Sequence, residues 1–296
     1  MIRLLSCCVV AAFTCLLTPM QRTFSEELKA GEEIVLGQHF SIHSDILGED
    51  RNLLIYLPQN YGMESSLEHR YPVLYLLDGP AYFNATTGIV YHLSDDGAAV
   101  GRIPELIVVA IRNIRTNTKA TRTRDMTPSH MTSGLYSENS GGAASFRAFL
   151  EKELIPQIES RFRTQKQRVL VGHSLAGLFT LDTLVERPQL FDAYIAIDPS
   201  ASWDGNLLAR KLKNPTLGQS GPAVRLFIAE ANSPYMTTAE QETQRDGIRS
   251  FRNALKESGR PVQENYRYYA DETHLSVPLI GIYAGLLSVF GDYKKP

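Results

Sequence analysis

Ser174 stands in the run Arg168-Val169-Leu170-Val171-Gly172-His173-Ser174-Leu175-Ala176-Gly177, where residue types and spacing favour nucleophilic chemistry. The first four residues, three apolar and two β-branched, read as a short buried strand, and Leu175 to Leu181 reads as the start of a helix. A serine on so sharp a strand-to-helix turn is a nucleophile elbow. Its flanks must be small: Gly172 lies two before it, and Ala176 stands where a second glycine is usual. The turn lifts the hydroxyl clear of the sheet. It also aims the Leu175 N–H and the helix N-terminus at a point where negative charge would develop on a substrate oxygen. A serine hydroxyl is a poor nucleophile at neutral pH and needs a neighbouring base. The chain order that accompanies this elbow is Ser, acid, His. Of the seven histidines only His274 follows Ser174, which makes it the candidate base. His173 is expected on the other side of the turn, packing or hydrogen-bonding, while His130 lies in a long loop from which it could reach a substrate. The acid should orient His274 and stabilise its imidazolium. Glu240 is the favoured candidate, with Glu230 and Glu242 as alternatives and Asp246 further along the same helix; each taken alone reads first as a solvated carboxylate.

These groups have to be carried by a scaffold. Glu33 to Ile42 and Asn52 to Pro58 read as an antiparallel pair at a sheet edge. Tyr71 to Leu77 and Leu106 to Ile111 are continuous apolar runs, as expected of strands buried on both faces. Thr87 to Leu93 reads as a helix, Arg112 to Gly142 as a long polar loop, and Phe146 to Phe162 shows helical periodicity. After the elbow come strands at Ala193 to Ile197 and Val224 to Ala229, a helix from about Thr238 to Glu257, a strand at Asn265 to Tyr269 and a last helix near Pro278 to Phe290. Strands alternating with helices imply a mostly parallel central sheet with helices on both faces. Ligands in such sheets sit at the carboxyl ends of the strands. Asp78, Asn113, Ser174, Asp198, Glu230 and His274 all fall at or just past such ends.

The chain of 296 residues is 43% hydrophobic and 21% charged, with a formal net charge of −2. That is ordinary globular composition, and its near-neutral charge argues against electrostatic binding to nucleic acid or an anionic membrane. No His/Cys cluster has metal-ligand spacing and no Gly-rich phosphate loop is present, so no cofactor or metal is expected. Met1-Ile2-Arg3 followed by the apolar run Leu4 to Leu17 reads as a secretory signal peptide, too short to span a bilayer. The expected organisation is a signal peptide over 1–25 and a single domain over 26–296, secreted or periplasmic, without stable membrane insertion once the signal is removed. Cys7, Cys8 and Cys15 all lie in that first segment, so the mature chain would rely on a large core and carry no disulfide. Asn84-Ala85-Thr86 fits a glycosylation acceptor.

Five stretches together resemble the esterase D-like "putative esterase" family of α/β-hydrolases, which includes enterochelin-type siderophore esterases, feruloyl and acetyl xylan esterases and mycolyl transferases. They are Tyr71 to Gly79, Arg122-Thr123-Arg124-Asp125-Met126-Thr127-Pro128, Gly172-His173-Ser174-Leu175, Ala196-Ile197-Asp198-Pro199-Ser200 and His274-Leu275-Ser276-Val277-Pro278. The resemblance implies an α/β-hydrolase fold, with Ser174 as nucleophile and His274 as base in a serine esterase acting on a small-molecule ester. A siderophore-like ester, an acylated glycan and a short-chain ester are all open as substrates. The position of the acid varies in that family, and spacing back from the histidine favours the Glu240 to Glu242 region. Relatives often draw one oxyanion-hole N–H from the residue after Asp-Gly. Here that residue is Pro80, which has no N–H, so the expected donors are Leu175 and Ala81. The loop carrying Arg122, Arg124 and Asp125 either grips an anionic or polyhydroxylated substrate, with Arg124 the expected contact, or is held in place by its own Arg-Asp pair. Trp203 either walls the substrate pocket or caps a core. A weakened binding protein of the same fold and an acyltransferase are the alternatives to an esterase.

Overall fold

The computed structural model describes residues 31, 33–94, 101–116, 120–134, 136–214, 221–234 and 236–294. The expected signal segment and its three cysteines lie outside the described residues. Val35–Pro296 groups as one compact unit. Among the described residues no helix is long and apolar enough to cross a membrane.

Eight strands form one sheet: β1 (Gln38–Ser44), β2 (Glu49–Tyr56), β3 (Tyr71–Leu76), β4 (Ile107–Ile111), β5 (Thr164–His173), β6 (Ala193–Ile197), β7 (Val224–Ala231) and β8 (Val262–Tyr269). Their spatial order is β1-β2-β4-β3-β5-β6-β7-β8. β1 pairs antiparallel with β2, and β2 with β4, while every pairing from β4 to β8 is parallel. This is the α/β-hydrolase arrangement that the sequence predicts, with its antiparallel pair at one edge. The continuous apolar runs become the central strands, and β3, β4 and β6 are buried along their whole length.

The two faces of the sheet are separate cores. Residues alternate between them with the period of two that a pleated strand imposes. Tyr194 and Ala196 join one cluster with Phe146, Leu178, Leu208 and Phe251; Ile195 and Ile197 join the other with Val90, Ile282 and Leu286. The first face is covered by α3 (Ala143–Phe149), α4 (Ile155–Arg161), α5 (Leu175–Glu186), α6 (Trp203–Leu212) and α7 (Thr238–Glu257), the second by α1 (Gly79–Leu93) and α8 (Val277–Val289).

Three expectations need correction. α1 starts at Gly79, eight residues ahead of the predicted Thr87, because Pro80 falls in the first turn, where a missing N–H and a fixed φ cost nothing. The loop over 112–142 is not wholly irregular, since Arg122–Met126 forms a short helix, α2. The predicted helix over 146–162 begins at Ala143 and widens into π-helical geometry at Leu150–Leu154 before continuing as α4. Pro156, just beyond, has no N–H to close a regular turn.

Candidate active site

Ser174 follows β5 directly and caps α5 with φ 61° and ψ −119°, a backbone conformation that L-residues rarely adopt. Strain of this kind persists only where surrounding structure enforces it. The enforcement is local: the Ser174 N–H donates to the Ile197 carbonyl at 3.0 Å, and the Ser200 N–H donates to the Ser174 carbonyl at 3.1 Å. Gly172 is required because a Cβ there would overlap the Ala176 carbonyl. Gly177 packs so closely that its Cβ would lie 3.0 Å from the Pro199 Cα. Ala176 is fully buried, so the second elbow position accepts a methyl group without opening the turn.

His173 and Ile197 are paired across β5 and β6, so Ser174 and Asp198 leave the sheet side by side. Asp198 is also left-handed, with φ 40°, and is completely buried. One carboxylate oxygen accepts the Ala231 N–H at 3.1 Å; the other lies 2.5 Å from His274 Nδ1. An ionised carboxylate only accepts, so the imidazole carries its proton on Nδ1 and keeps the Nε2 lone pair for another partner. The loop after β8 delivers His274, whose side chain is 17% exposed against 1% for Asp198. Ser174, His173, His274, Asp78, Pro80, Ala81, Tyr82, Asn113, Arg122 and Leu275 line one open cleft of about 700 Å³. Its size suits a small molecule.

The carboxylate beside His274 is thus Asp198 and none of the four weighed from the sequence. Glu240 is exposed and closes a capping box with Thr237 at the start of α7, an arrangement that holds its carboxyl below the usual range. Glu242 lies on the same exposed helix start. Glu230 is buried at the end of β7, but its carboxylate takes the Tyr266 hydroxyl at 2.9 Å and faces Arg245. Asp246 binds Asn206 and Arg249 on the outer surface of α7. A signal for Asp198 is present in the sequence, at the end of a buried strand one position over from the elbow strand.

The remaining expected contacts divide sharply. The Leu175 N–H opens α5, where first-turn N–H groups have no intrahelical partner. The Ala81 N–H is spent on the Asp78 carbonyl at 3.0 Å, so it is not the free donor expected. Arg124 does not face the cleft either. Its guanidinium binds Glu49 at 2.6 Å and Asp125 at 2.8 Å, and Arg51, fully buried, bridges the same two carboxylates. Breaking such a buried network costs about 3–5 kcal/mol, so this cluster anchors the loop. Trp203 lies outside the cleft lining: its indole N–H donates to Ser129 Oγ at 3.0 Å and its ring meets Tyr136, pinning the same loop to α6. The arginine on the cleft is Arg122, which grips Asp78 with two 2.8 Å bonds and also donates to the His173 carbonyl. Asn113 adds a third bond to Asp78.

His173 points to the α1/α8 face, with its ring 4.4 Å from that of His274 and its Nδ1 2.9 Å from the Tyr82 hydroxyl. Burial, and then the neighbouring His274, push its pKa down to about 4, so the ring is neutral at physiological pH. His130 is exposed and its ring lies against the Ser140 carbonyl at 3.4 Å. Among the described residues no three His, Cys, Asp or Glu side chains come together as metal ligands would.

A family model described as "Putative esterase" matches residues 44–271. The ferri-bacillibactin esterase BesA of Bacillus subtilis is 34% identical over 149 residues, which are 48% of this chain and 52% of BesA, so this chain spans about half the length of that relative. A siderophore enterobactin esterase of Emericella nidulans is 26% identical over 233 residues, covering 69% of this chain and 77% of its own. Among solved structures, an IroE-like serine hydrolase from Shewanella oneidensis is 33% identical, with a TM-score of 0.75 over 88% of this chain and 82% of the other.

Proposed function

The chain belongs to the "Putative esterase" family, and on that premise we propose that it is a serine esterase that cleaves a small-molecule ester of the siderophore type. Asp198 holds the imidazole of His274 in the tautomer whose Nε2 can accept the Ser174 proton. Ser174 Oγ attacks the ester carbonyl as its proton passes to His274. The tetrahedral intermediate collapses with transfer of that proton to the departing alkoxide, leaving an acyl-enzyme. Water, deprotonated by the same imidazole, then releases the acid and frees the serine. The Leu175 N–H and the N-terminus of α5 face the developing oxyanion.

The observation that carries this reading is the 2.5 Å contact between Asp198 and His274 at a cleft shared with Ser174. Support for the substrate class comes from the relatives, whose names are those of siderophore esterases. Export to the periplasm or the medium is part of the proposal and rests on the charged start and apolar run of Met1 to Leu17.

Purified protein is expected to hydrolyse p-nitrophenyl butyrate and ferri-siderophore esters. Ser174→Ala should lower kcat by about 10⁶, and undiminished hydrolysis in that variant overturns the assignment. One observation favours a second reading, a binding protein of the same fold: neither Pro80 nor Ala81 offers a free backbone donor. Covalent labelling of Ser174 by a fluorophosphonate, with turnover of ester, excludes it.

A further inference from the structure

We propose that Tyr82 is a further catalytic residue, its hydroxyl donating to the developing oxyanion the hydrogen bond that the backbone at Pro80 and Ala81 does not supply. This rests on the esterase reading of the cleft.

The corner between β3 and α1 lies beside the elbow because β3 and β5 are neighbours in the sheet. Every backbone group that could serve from that corner is ruled out. Pro80 has no N–H, the Ala81 N–H is bonded to the Asp78 carbonyl, and Gly79 is absent from the cleft lining. Tyr82 does line the cleft, together with Pro80, Ser174 and His274.

The direction of its hydroxyl hydrogen follows from His173. That ring has Nδ1 2.9 Å from Tyr82 Oη, while its Nε2 is buried with no hydrogen-bonding partner among the described residues. Orphaned buried N–H groups are rarer in proteins than under-satisfied acceptors. The single proton of the neutral ring therefore belongs on Nδ1, where it has an acceptor, and His173 donates to Tyr82. The phenolic oxygen accepts that bond, which leaves its own hydrogen free to point into the cleft. Burial raises the Tyr82 pKa, so the hydroxyl stays protonated and remains a donor. Tyrosine hydroxyls serve as oxyanion donors in other active sites.

The test is Tyr82→Phe, which keeps the ring and removes only the donor. Turnover of p-nitrophenyl butyrate is expected to fall by about 10²–10³ in kcat with little change in KM. Affinity for a trifluoromethyl ketone analogue of the tetrahedral intermediate should fall by a similar factor, because that bond forms only in the transition state. A residue that merely packs against His173 would not weaken the analogue selectively. A variant that keeps kcat within about threefold of wild type, or loses rate without losing analogue affinity, overturns the proposal. If Tyr82→Phe does not fold, the wild-type complex with the analogue decides. Tyr82 Oη within about 2.7–3.1 Å of the oxyanion supports the assignment, and a hydroxyl bonded elsewhere overturns it. A wild-type protein with no turnover and no Ser174 labelling overturns the esterase reading and this one together. An active wild type with an unaffected Tyr82→Phe overturns only this one.

Discussion

The ends of β6 and β7 invite comparison, because each presents a buried carboxylate at the same level of the sheet and only one of them meets the imidazole. Ile197 is paired with Ala229, so Asp198 and Glu230 occupy equivalent positions on neighbouring strands. Glu230 remains within β7 and obeys its alternation. Leu226 and Ile228 point to the face covered by α7, and Glu230 follows them to Tyr266 and Arg245. His274, however, arrives from the loop that leads into α8 on the opposite face. Asp198 lies one residue beyond β6, and its left-handed φ releases it from the alternation. With the Ala231 N–H holding one oxygen, the other is turned toward His274. Strand parity separates a carboxylate that serves the site from one that closes the core.

Substitutions that treat the two carboxylates alike should therefore give very different results. Asp198→Asn is expected to lower kcat by about 10⁴ while leaving the fold intact, since it favours the wrong tautomer of His274. Steady-state kinetics and circular dichroism check this, and a loss smaller than about tenfold would remove Asp198 from the site.

An intermediate effect is expected at His173, on the same side of the sheet. Its pKa of about 4 lies below the ordinary histidine value, so the unfolded chain binds the proton more readily than the folded one. Stability attributable to this group is fully present above about pH 6.5 and falls as pH drops toward 4, by on the order of 3 kcal/mol. Denaturant unfolding at neutral and acidic pH should show part of the acid destabilisation disappearing in His173→Gln.

At the small end, Glu230→Gln should leave kcat within about threefold of wild type. Burial raises the Glu230 pKa, so the neutral amide also removes a disfavoured charge. Glu240→Ala should leave turnover unchanged and lower Tm slightly through the lost capping box. A large activity loss in either variant would reopen the assignment of the acid.

Much of the scaffold was legible because burial writes itself locally. The runs at Tyr71, Leu106 and Ala193 are apolar throughout, as strands covered on both faces must be, and the elbow shows in the small residues on either side of Ser174. The arginine loop was less legible. Arg122 and Arg124 are two residues apart and chemically identical, yet one lines the cleft with Asp78 and the other is locked against Glu49, a residue of β2 far away in the chain. Trp203 is similar: its partner Ser129 lies in a loop whose path no periodicity reports.

From the sequence alone came the strand and helix order, the mostly parallel sheet, Ser174 as the candidate nucleophile and, by elimination along the chain, His274 as the candidate base. All of these depend on neighbours in sequence or on the fixed order of elements. The carboxylate that meets His274, the real contacts of Arg124 and Trp203, and the engagement of the Ala81 N–H were decided by the folded chain. Each depends on which face of a strand a side chain leaves by, and on which distant group is waiting there. One residue of register or one left-handed turn reverses that outcome, and neither is encoded in the identity of the residue itself.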